Sequence, residues 1–347
     1  MTTNSLNPQK LSGSELLARS LVIVILLGLL VPIGVVSWRS RRDNEDVILI
    51  NARMPESGGW SPSDLTAQVG QPLRLQLTSG DVVHGFAIGQ SDNPEIEIMP
   101  GQVTETILVF NQPGKYTFYC TRWCGPNHWR MRGTIEVSGV EPLRPTQNTP
   151  LYLELGLDID APHLAEVTPE AKPSAVRGAA LSASPPVQYM SLDYYRSHSP
   201  AQVWQDLRAE PSLMPLSDPE VWDLVASIWS SHTTQQKMEE AQRLYANNCA
   251  ACHGENGAGD GVMADSLAQD EMSDHDNQST LSGHTTTAPA DFTAAASMMG
   301  AAPATLHGKI LRGGMGTGMP YWGPIFSDAQ IWSLVNFLWT FQFDYGG

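Results

Sequence analysis

The residues best suited to metal chemistry lie close together in the stretch 120–131. Cys120, Cys124, His128 and Met131 are spaced four, four and three residues apart. Thiolate and thioether sulfurs are soft ligands that select copper, zinc or iron–sulfur clusters, and adding imidazole and methionine favours copper. An electron-transfer site with a single copper needs only one cysteine, so two cysteines four residues apart in a loop could bridge two coppers.

A disulfide and a zinc loop are the alternatives to a copper site in this stretch. A disulfide between Cys120 and Cys124 would close a very short, strained ring. Zinc does not usually take a methionine ligand. A copper pair needs a second imidazole, and His84 can supply it from the upstream segment Ser-Gly-Asp-Val-Val-His-Gly-Phe.

A second motif, Cys249-Ala-Ala-Cys-His, has the spacing of a covalent haem attachment site. Cys249 and Cys252 would bond to the two haem vinyl groups, and His253 would bind the iron. Two cysteines at this spacing also occur in redox dithiols and in zinc sites. The adjacent histidine and the glycine-rich tail that follows favour one covalently bound haem c.

The copper stretch resembles the dinuclear copper (CuA) motif of cytochrome c oxidase subunit II, in which Asp-Val-x-His-Gly-Phe precedes Cys-x3-Cys-x3-His-x2-Met. The resemblance covers roughly residues 46–140. It implies two bridging thiolates, two imidazoles, a weak thioether and a weak backbone carbonyl as ligands: Cys120 and Cys124, His84 and His128, Met131, and Arg122. Many family members carry glutamate at the position of Arg122, where it also reaches magnesium, so arginine predicts that this magnesium site is absent.

Residues 236–347 resemble a small class I cytochrome c. The family places its second iron ligand, a methionine, in a loop before the last helix, and Met319 fits while Met315 is the nearest competitor. Pro289 resembles the family's loop proline, whose carbonyl accepts a hydrogen bond from the proximal histidine. Two further methionines are predicted to pack in the apolar core: Met298 and Met299. Ligation by histidine and methionine raises the haem potential, which suits electron transfer.

Length and composition limit the remaining possibilities. A chain of 347 residues is long enough for two or three domains. A formal net charge of −16 argues against a nucleic-acid partner. It suits docking of a basic protein, although an acidic surface is also ordinary. All four cysteines fall in the two motifs, so we expect no structural disulfide.

The first 45 residues are predicted to form a tail and a single transmembrane helix. No charge occurs in about residues 20–38, which is the length needed to cross a bilayer. A cleavable signal peptide is the alternative. Arg39, Arg41 and Arg42 would weakly place the C-terminal side in the cytoplasm, but covalent haem is attached outside it. We therefore expect an anchor in the bacterial inner membrane, with the later domains in the periplasm.

The segment 46–140 is predicted to be a β-sandwich. β-Branched and aromatic residues alternate in short runs separated by Gly, Pro and Asp turns. The predicted strands are residues 47–50, 73–77, 104–110, 116–119 and 134–137. This agrees with the cupredoxin fold that the resemblance implies, and it places the candidate copper ligands at one end of the sandwich.

Three segments complete the predicted multidomain architecture. Residues 141–190 are rich in proline and alanine, which is typical of a linker or an extended wrapping chain. Residues 191–235 are predicted to be helical, and residues 216–230 resemble residues 326–340. The latter belong to the predicted all-α cytochrome c domain, residues 236–347, whose last helix is predicted to span 328–341. Residues 191–235 are therefore either a degenerate cytochrome c remnant without haem or two amphipathic helices of similar composition.

The resemblance implies the electron-input subunit of a haem–copper oxygen reductase. Electrons from a cytochrome or another donor would enter at haem c, pass to the copper pair and leave for a haem in the separate catalytic subunit I. The first alternative is the small subunit of a CuA-type nitric oxide reductase, which Arg122 and the atypical segment 53–60 keep open. The second is a membrane-tethered electron carrier without its own enzyme partner.

Overall fold

The structure is a computed structural model that describes residues 47–346 apart from 92, 126, 140–148, 266–287 and 315–317, together with positions 21, 24 and 28. Except at those three positions, the predicted transmembrane helix of residues 20–38 lies outside the described residues and stays a prediction. Within the part of the chain that is described, no helix is long and apolar enough to span a bilayer.

Residues 47–138 form a β-sandwich. Its strands are β1 (Val47–Ala52), β2 (Trp60–Ser61), β3 (Asp64–Gln68), β4 (Pro72–Ser79), β5 (His84–Ile88), β6 (Ile96–Ile98), β7 (Val103–Val109), β8 (Gly114–Tyr119) and β9 (Arg132–Ser138). One sheet has the order β2-β1-β4-β7 and the other has the order β3-β9-β8-β5-β6. The β1–β4 and β3–β9 pairs are parallel. All five predicted strands are present, and the predicted sandwich is confirmed.

Alternation of apolar and polar residues explains how the two sheets enclose a core. In β4, Leu73, Leu75 and Leu77 are buried, while Arg74 and Gln76 between them are only partly buried. Successive side chains of a strand point to opposite faces, so this pattern directs one face inward. The buried faces of the two sheets meet in a common apolar cluster.

Trp60 connects that core to the loop between β8 and β9. Its ring packs edge-on against Phe86 and Phe118, with centroids 5.7 and 5.5 Å away. Its indole Nε1 donates to the carbonyl of Met131 at 3.1 Å. A buried indole usually finds such an acceptor, and this bond fixes the end of the loop that contains the candidate copper ligands.

The rest of the described chain is mainly helical. Its helices are α1 (Leu151–Glu154), α2 (Ala175–Ala179), α3 (Leu192–Ser197), α4 (Pro200–Ala209), α5 (Asp218–Ser231), α6 (Gln235–Asn248), α7 (Ala250–His253), α8 (Ala295–Gly300), α9 (Pro303–Arg312) and α10 (Asp328–Leu338). A 3₁₀ turn, Trp339–Phe341, continues α10, as far as the last helix was predicted to extend. Residues from α2 to the C-terminal segment share a single apolar core.

The two segments of similar sequence form similar helices. Both α5 and α10 begin with a capping box, made by Ser217 and Glu220 in one helix and by Ser327 and Gln330 in the other. Trp229 and Trp339, which occupy matching positions, pack edge to face at 5.9 Å. A common origin of the two segments, with loss of one haem, stays a hypothesis. The two helices share one apolar core.

Residues 149–190 lie along the helices as a wrapping chain. Ile159 is buried, and the amide of Ala165 donates to the carbonyl of Ala296 at 2.8 Å. Arg312 Nη1 donates to Asp160 at 2.8 Å. This stretch therefore forms part of the wall of the helical region.

Gly178 allows α2 to lie directly against α5. A Cβ atom at this position would come within 2.0 Å of the carbonyl oxygen of Asp223. At the same contact the nearly buried carboxylate of Asp223 accepts from the amide of Ser174 and from Arg177 Nε, each at 2.7 Å. Close backbone approach therefore secures the wrapping chain to the helical core.

Gly178→Ala should weaken this packing. We expect the free energy of unfolding of the helical region to fall by about 1–3 kcal/mol, the usual cost of forcing an extra carbon into a packed contact. Chemical denaturation followed by far-ultraviolet circular dichroism measures the change. Ala179→Ser, on the exposed side of the same helix, is the control, and an equal loss in both variants would show that the contact with Asp223 is unimportant.

Candidate metal centres

The two cysteines of the β8–β9 loop lie side by side, each with its own histidine. Cys120 Sγ and Cys124 Sγ are 3.9 Å apart. His84 Nδ1 lies 3.7 Å from Cys120 Sγ, and His128 Nδ1 lies 3.4 Å from Cys124 Sγ. Both imidazoles therefore present the same ring nitrogen to a pair of sulfurs.

Two weaker donors lie beside the same sulfur pair. Met131 Sδ is 3.8 Å from Cys124 Sγ, and the carbonyl oxygen of Arg122 is 3.2 Å from Cys120 Sγ. The five side chains are at most 5% exposed. The structure thus brings together all six donor groups that the sequence predicts as ligands: His84, Cys120, Arg122, Cys124, His128 and Met131.

Neighbouring strands of one sheet position these groups. His84 is the first residue of β5, and Cys120 directly follows β8, which pairs with β5 through Ala87 and Tyr119. The amide of Cys120 donates to the carbonyl of Met131 at 3.0 Å and closes the loop. The strands therefore fix the positions of His84 and of the two ends of the loop, Cys120 and Met131. The spacing of residues within the loop places the other ligands.

Protonation of the sulfur pair is strongly asymmetric without metal. A hydrogen bond from Cys124 is the main cause that lowers the pKa of Cys120 to about 3. The same hydrogen bond, together with burial, raises the pKa of Cys124 far above its usual range. Two buried thiolates this close need a cation in place of the shared proton, and metal binding to thiols releases protons. The donor set is soft, convergent and shielded from water, so it fits copper.

The side chain of Arg122 points away from the sulfur pair. Its guanidinium lies 3.4 Å from Glu95 and 3.2 Å from Glu97, and Thr121 donates to the same Glu95 at 2.6 Å. Only the backbone of Arg122 therefore faces the candidate copper site.

Asp81 is a positioning residue that sequence reasoning missed. Its carboxylate accepts from His84 Nε2 at 2.8 Å, which leaves His84 Nδ1 directed at Cys120. Burial lowers the pKa of His84, but hydrogen bonds to Cys120 and Asp81 outweigh burial and raise it. The three-residue spacing between Asp81 and His84 was the available signal, because carboxylates commonly orient metal-binding histidines.

Asp81→Asn should therefore weaken the copper site without abolishing it. We expect copper affinity to fall by about 10–100-fold, as is usual when the partner of a ligating histidine is changed. Competition with a copper chelator measures the change. Asp64→Asn on the exposed side of β3 is the control, and equal affinities of the Asp81 and Asp64 variants would contradict the positioning role.

The candidate haem residues line one cavity. Cys249, Cys252, His253 and Met319 all face it, as do Lys309 and Arg312. Both cysteines are free thiols, as are the other two in the chain. The cavity offers the two thiols, the imidazole and the thioether that a covalent haem c needs on its two faces, so these residues fit that group.

The orientation of His253 differs in one detail from the prediction. Its Nδ1 donates to the carbonyl of Ala290 at 3.1 Å, one residue beyond the predicted acceptor, Pro289. The carbonyl of Pro289 instead faces Gly259, where a Cβ atom would come within 2.6 Å. The ring of Phe292 also stacks on His253, with centroids 4.7 Å apart.

Two other methionines near the haem region were predicted to pack in the apolar core, and the structure places them there. Met298 and Met299 are buried in the helical core, with exposed fractions of 3% and 0%. Met315, the competitor of Met319, lies outside the described residues.

Comparisons with known proteins match the two regions separately. Residues 62–138 match the family model of the periplasmic domain of cytochrome c oxidase subunit II. Residues 238–342 match the cytochrome c family model. The predicted helical cytochrome c region is thereby confirmed, and the matched stretch begins within α6.

Proteins of similar sequence include several subunits 2 of cytochrome c oxidase. Cytochrome c oxidase subunit 2 of Thermus thermophilus is 35% identical over 79 residues, 23% of this chain and 58% of that relative. A probable cytochrome c oxidase subunit 2 of Rickettsia prowazekii is 38% identical over 69 residues, 20% of this chain and 22% of that relative. The chain spans about half the length of the two Thermus thermophilus relatives, 58% and 46%.

Among solved structures, the periplasmic domain of subunit II of cytochrome oxidase from Bradyrhizobium japonicum is 20% identical. The match covers 27% of this chain and 84% of that one, with a TM-score of 0.24. On the sequence matches, this chain resembles cytochrome c oxidase subunit II followed by a cytochrome c region in the same polypeptide.

Proposed function

We propose that this chain is the electron-input subunit of a haem–copper oxidase. The observation that carries the proposal is the paired-sulfur geometry, in which two sulfurs 3.9 Å apart each lie beside a separate imidazole. One metal ion would use only part of this set, whereas two copper ions would use all of it. When bound, the copper pair and haem c would each supply a reversible one-electron couple.

The chain's own residues suit electron transfer better than substrate chemistry. His253 and Met319 would bind the haem iron, and Cys249 and Cys252 would tether the haem, a ligand set that suits electron transfer. The copper donors are buried and shielded from water. Electrons would enter at the haem residues, pass to Cys120 and Cys124, and leave for a haem in the catalytic subunit.

The catalytic partner would be a membrane subunit that reduces oxygen. The similarity to subunit II of cytochrome c oxidase supports this partner, and the uncharged segment 20–38 supports attachment to the bacterial inner membrane with the domains on the periplasmic side. A fused haem domain would raise the effective concentration of the electron donor at the copper site.

A copper-type nitric oxide reductase remains the second candidate function. Arg122 occupies the position at which many subunit II proteins carry glutamate, and it pairs with Glu95 and Glu97 instead. The same electron-input unit could therefore serve a different catalytic subunit.

Purification of the native complex in mild detergent tests both candidates. We expect a catalytic subunit that carries non-covalent haem to accompany this chain, together with oxygen consumption driven by a reduced donor. Turnover of nitric oxide without oxygen would select the second candidate. A lone, stable chain that holds copper and haem c would instead indicate a tethered electron carrier.

A further inference from the structure

The helical region contacts the β-sandwich beside the copper loop. The amide of Gln90 donates to the carbonyl of Ile325 at 2.9 Å. Arg132 Nη1 donates to the carbonyl of Tyr321 at 2.7 Å, and its guanidinium lies 5.0 Å from the ring centroid of Trp322. All three contacted residues belong to the loop that also presents Met319.

Gly89 brings the two backbones into direct contact at this place. A Cβ atom on Gly89 would lie 2.2 Å from the carbonyl oxygen of Pro324 and 2.9 Å from Cα of Ile325. The interface is therefore closely packed, and residues 319–325 connect the haem cavity to the copper domain.

Trp129 lies between the two candidate centres. It follows His128 directly in the 3₁₀ turn His128–Arg130. Successive side chains in a 3₁₀ helix point about 120° apart because the turn has three residues. His128 thus turns inward to Cys124, whereas Trp129 packs against the helical core and lines the cavity of Cys249, His253 and Met319.

We propose that Trp129 is the contact through which electrons pass from the haem cavity to the copper ligand His128. This inference rests on the proposed function. One electron would leave the iron held by His253 and reduce the copper pair held at Cys120 and Cys124, with no bond formed or broken and no proton moved.

The chemistry of tunnelling favours this route. The probability of electron tunnelling falls exponentially with distance, and it falls faster across an empty gap than through bonded or closely packed atoms. Trp129 offers a large conjugated ring in the cavity, and a short path of covalent bonds joins that ring to the imidazole of the neighbouring residue His128. Docking at Gly89 and Arg132 would hold the cavity against the ring.

Rapid photoreduction of haem c in the full-length, detergent-solubilised protein tests the proposal. The measured quantity is the rate at which the copper pair is then reduced. We expect Trp129→Ala to slow this step by about tenfold or more, the scale seen when a group directly behind a metal ligand is lost, and Trp129→Phe to have a smaller effect. Trp204→Ala is the matched control, because Trp204 is also half-buried against the helical core but stacks on Trp222.

A distance measurement separates conduction from docking. Pulsed electron paramagnetic resonance on the oxidised protein reports the dipolar coupling between ferric haem and the copper pair. We expect Trp129→Ala to leave this distance unchanged, whereas Gly89→Val should lengthen it and slow transfer as well.

Three outcomes would overturn the assignment of Trp129. They are an unchanged rate in Trp129→Ala, an equal slowing in Trp204→Ala, or a slowing explained by a longer metal–metal distance. Absence of the copper pair or of haem c from the unaltered protein would overturn the proposed function itself, so the two failures are distinguishable.

Discussion

Cys120→Ser is expected to abolish the proposed mixed-valence copper pair. Cys120 Sγ lies 3.7 Å from His84 Nδ1, 3.2 Å from the carbonyl oxygen of Arg122 and 3.9 Å from Cys124 Sγ. A hydroxyl is a hard and poorly acidic ligand, so serine cannot replace the bridging thiolate. The variant should hold at most one copper per chain and lose the near-infrared absorption of the copper pair.

The chain provides two controls for this experiment. Met131→Leu removes only a weak ligand, and the Trp60 bond to the carbonyl of residue 131 is a backbone interaction that leucine retains. This variant should keep the copper pair with a shifted spectrum. Haem content should stay unchanged in both variants, because Cys249 and Cys252 line a separate cavity. Persistence of the mixed-valence signal in Cys120→Ser, or zinc in the unaltered protein, would contradict the dinuclear assignment.

Local sequence patterns were sufficient to predict which candidate donor groups lie together and most of the sandwich. The spacing from Cys120 to Met131 confines four donors to one short loop, so little depends on the tertiary fold. Strand β4 alternates cleanly and was predicted, whereas β5 is buried at every position and β6 has only three residues. Neither of these shows the period of two that identifies a half-buried strand.

The residues that arrange the two centres could not be predicted in the same way. Gly89 and Arg132 matter because they meet residues 321–325, more than 180 positions later in the chain. The carbonyl that accepts from His253 was misplaced by one residue, since the choice between Pro289 and Ala290 depends on how the chain passes Gly259. Such contacts depend on packing between distant segments, which composition and periodicity do not encode.

Met319→Leu is expected to lower the haem potential while leaving the haem attached. Met319 lines the cavity with Cys249, Cys252 and His253, and its loop is held in place by the contacts of residues 321–325 with the β-sandwich. A thioether ligand raises the potential of haem iron, and axial ligands cover a range of roughly 0.8 V. Leucine should therefore lower the potential by a sizeable part of that range and give a high-spin iron with an open position.

Redox titration and electron paramagnetic resonance of the purified variant measure both effects, and Met299→Leu serves as the matched control. Met299 is fully buried in the helical core, so its replacement should alter stability slightly and leave the potential unchanged. Electron transfer from haem to copper should become more favourable in Met319→Leu, because a lower potential makes reduced haem a stronger electron donor, whereas reduction of the haem by its own donor should become less favourable. A normal potential and a low-spin spectrum in Met319→Leu would contradict the assignment of Met319 as the iron ligand and would favour Met315 instead. The contacts between the loop and the sandwich would then position Met319 without any role at the iron.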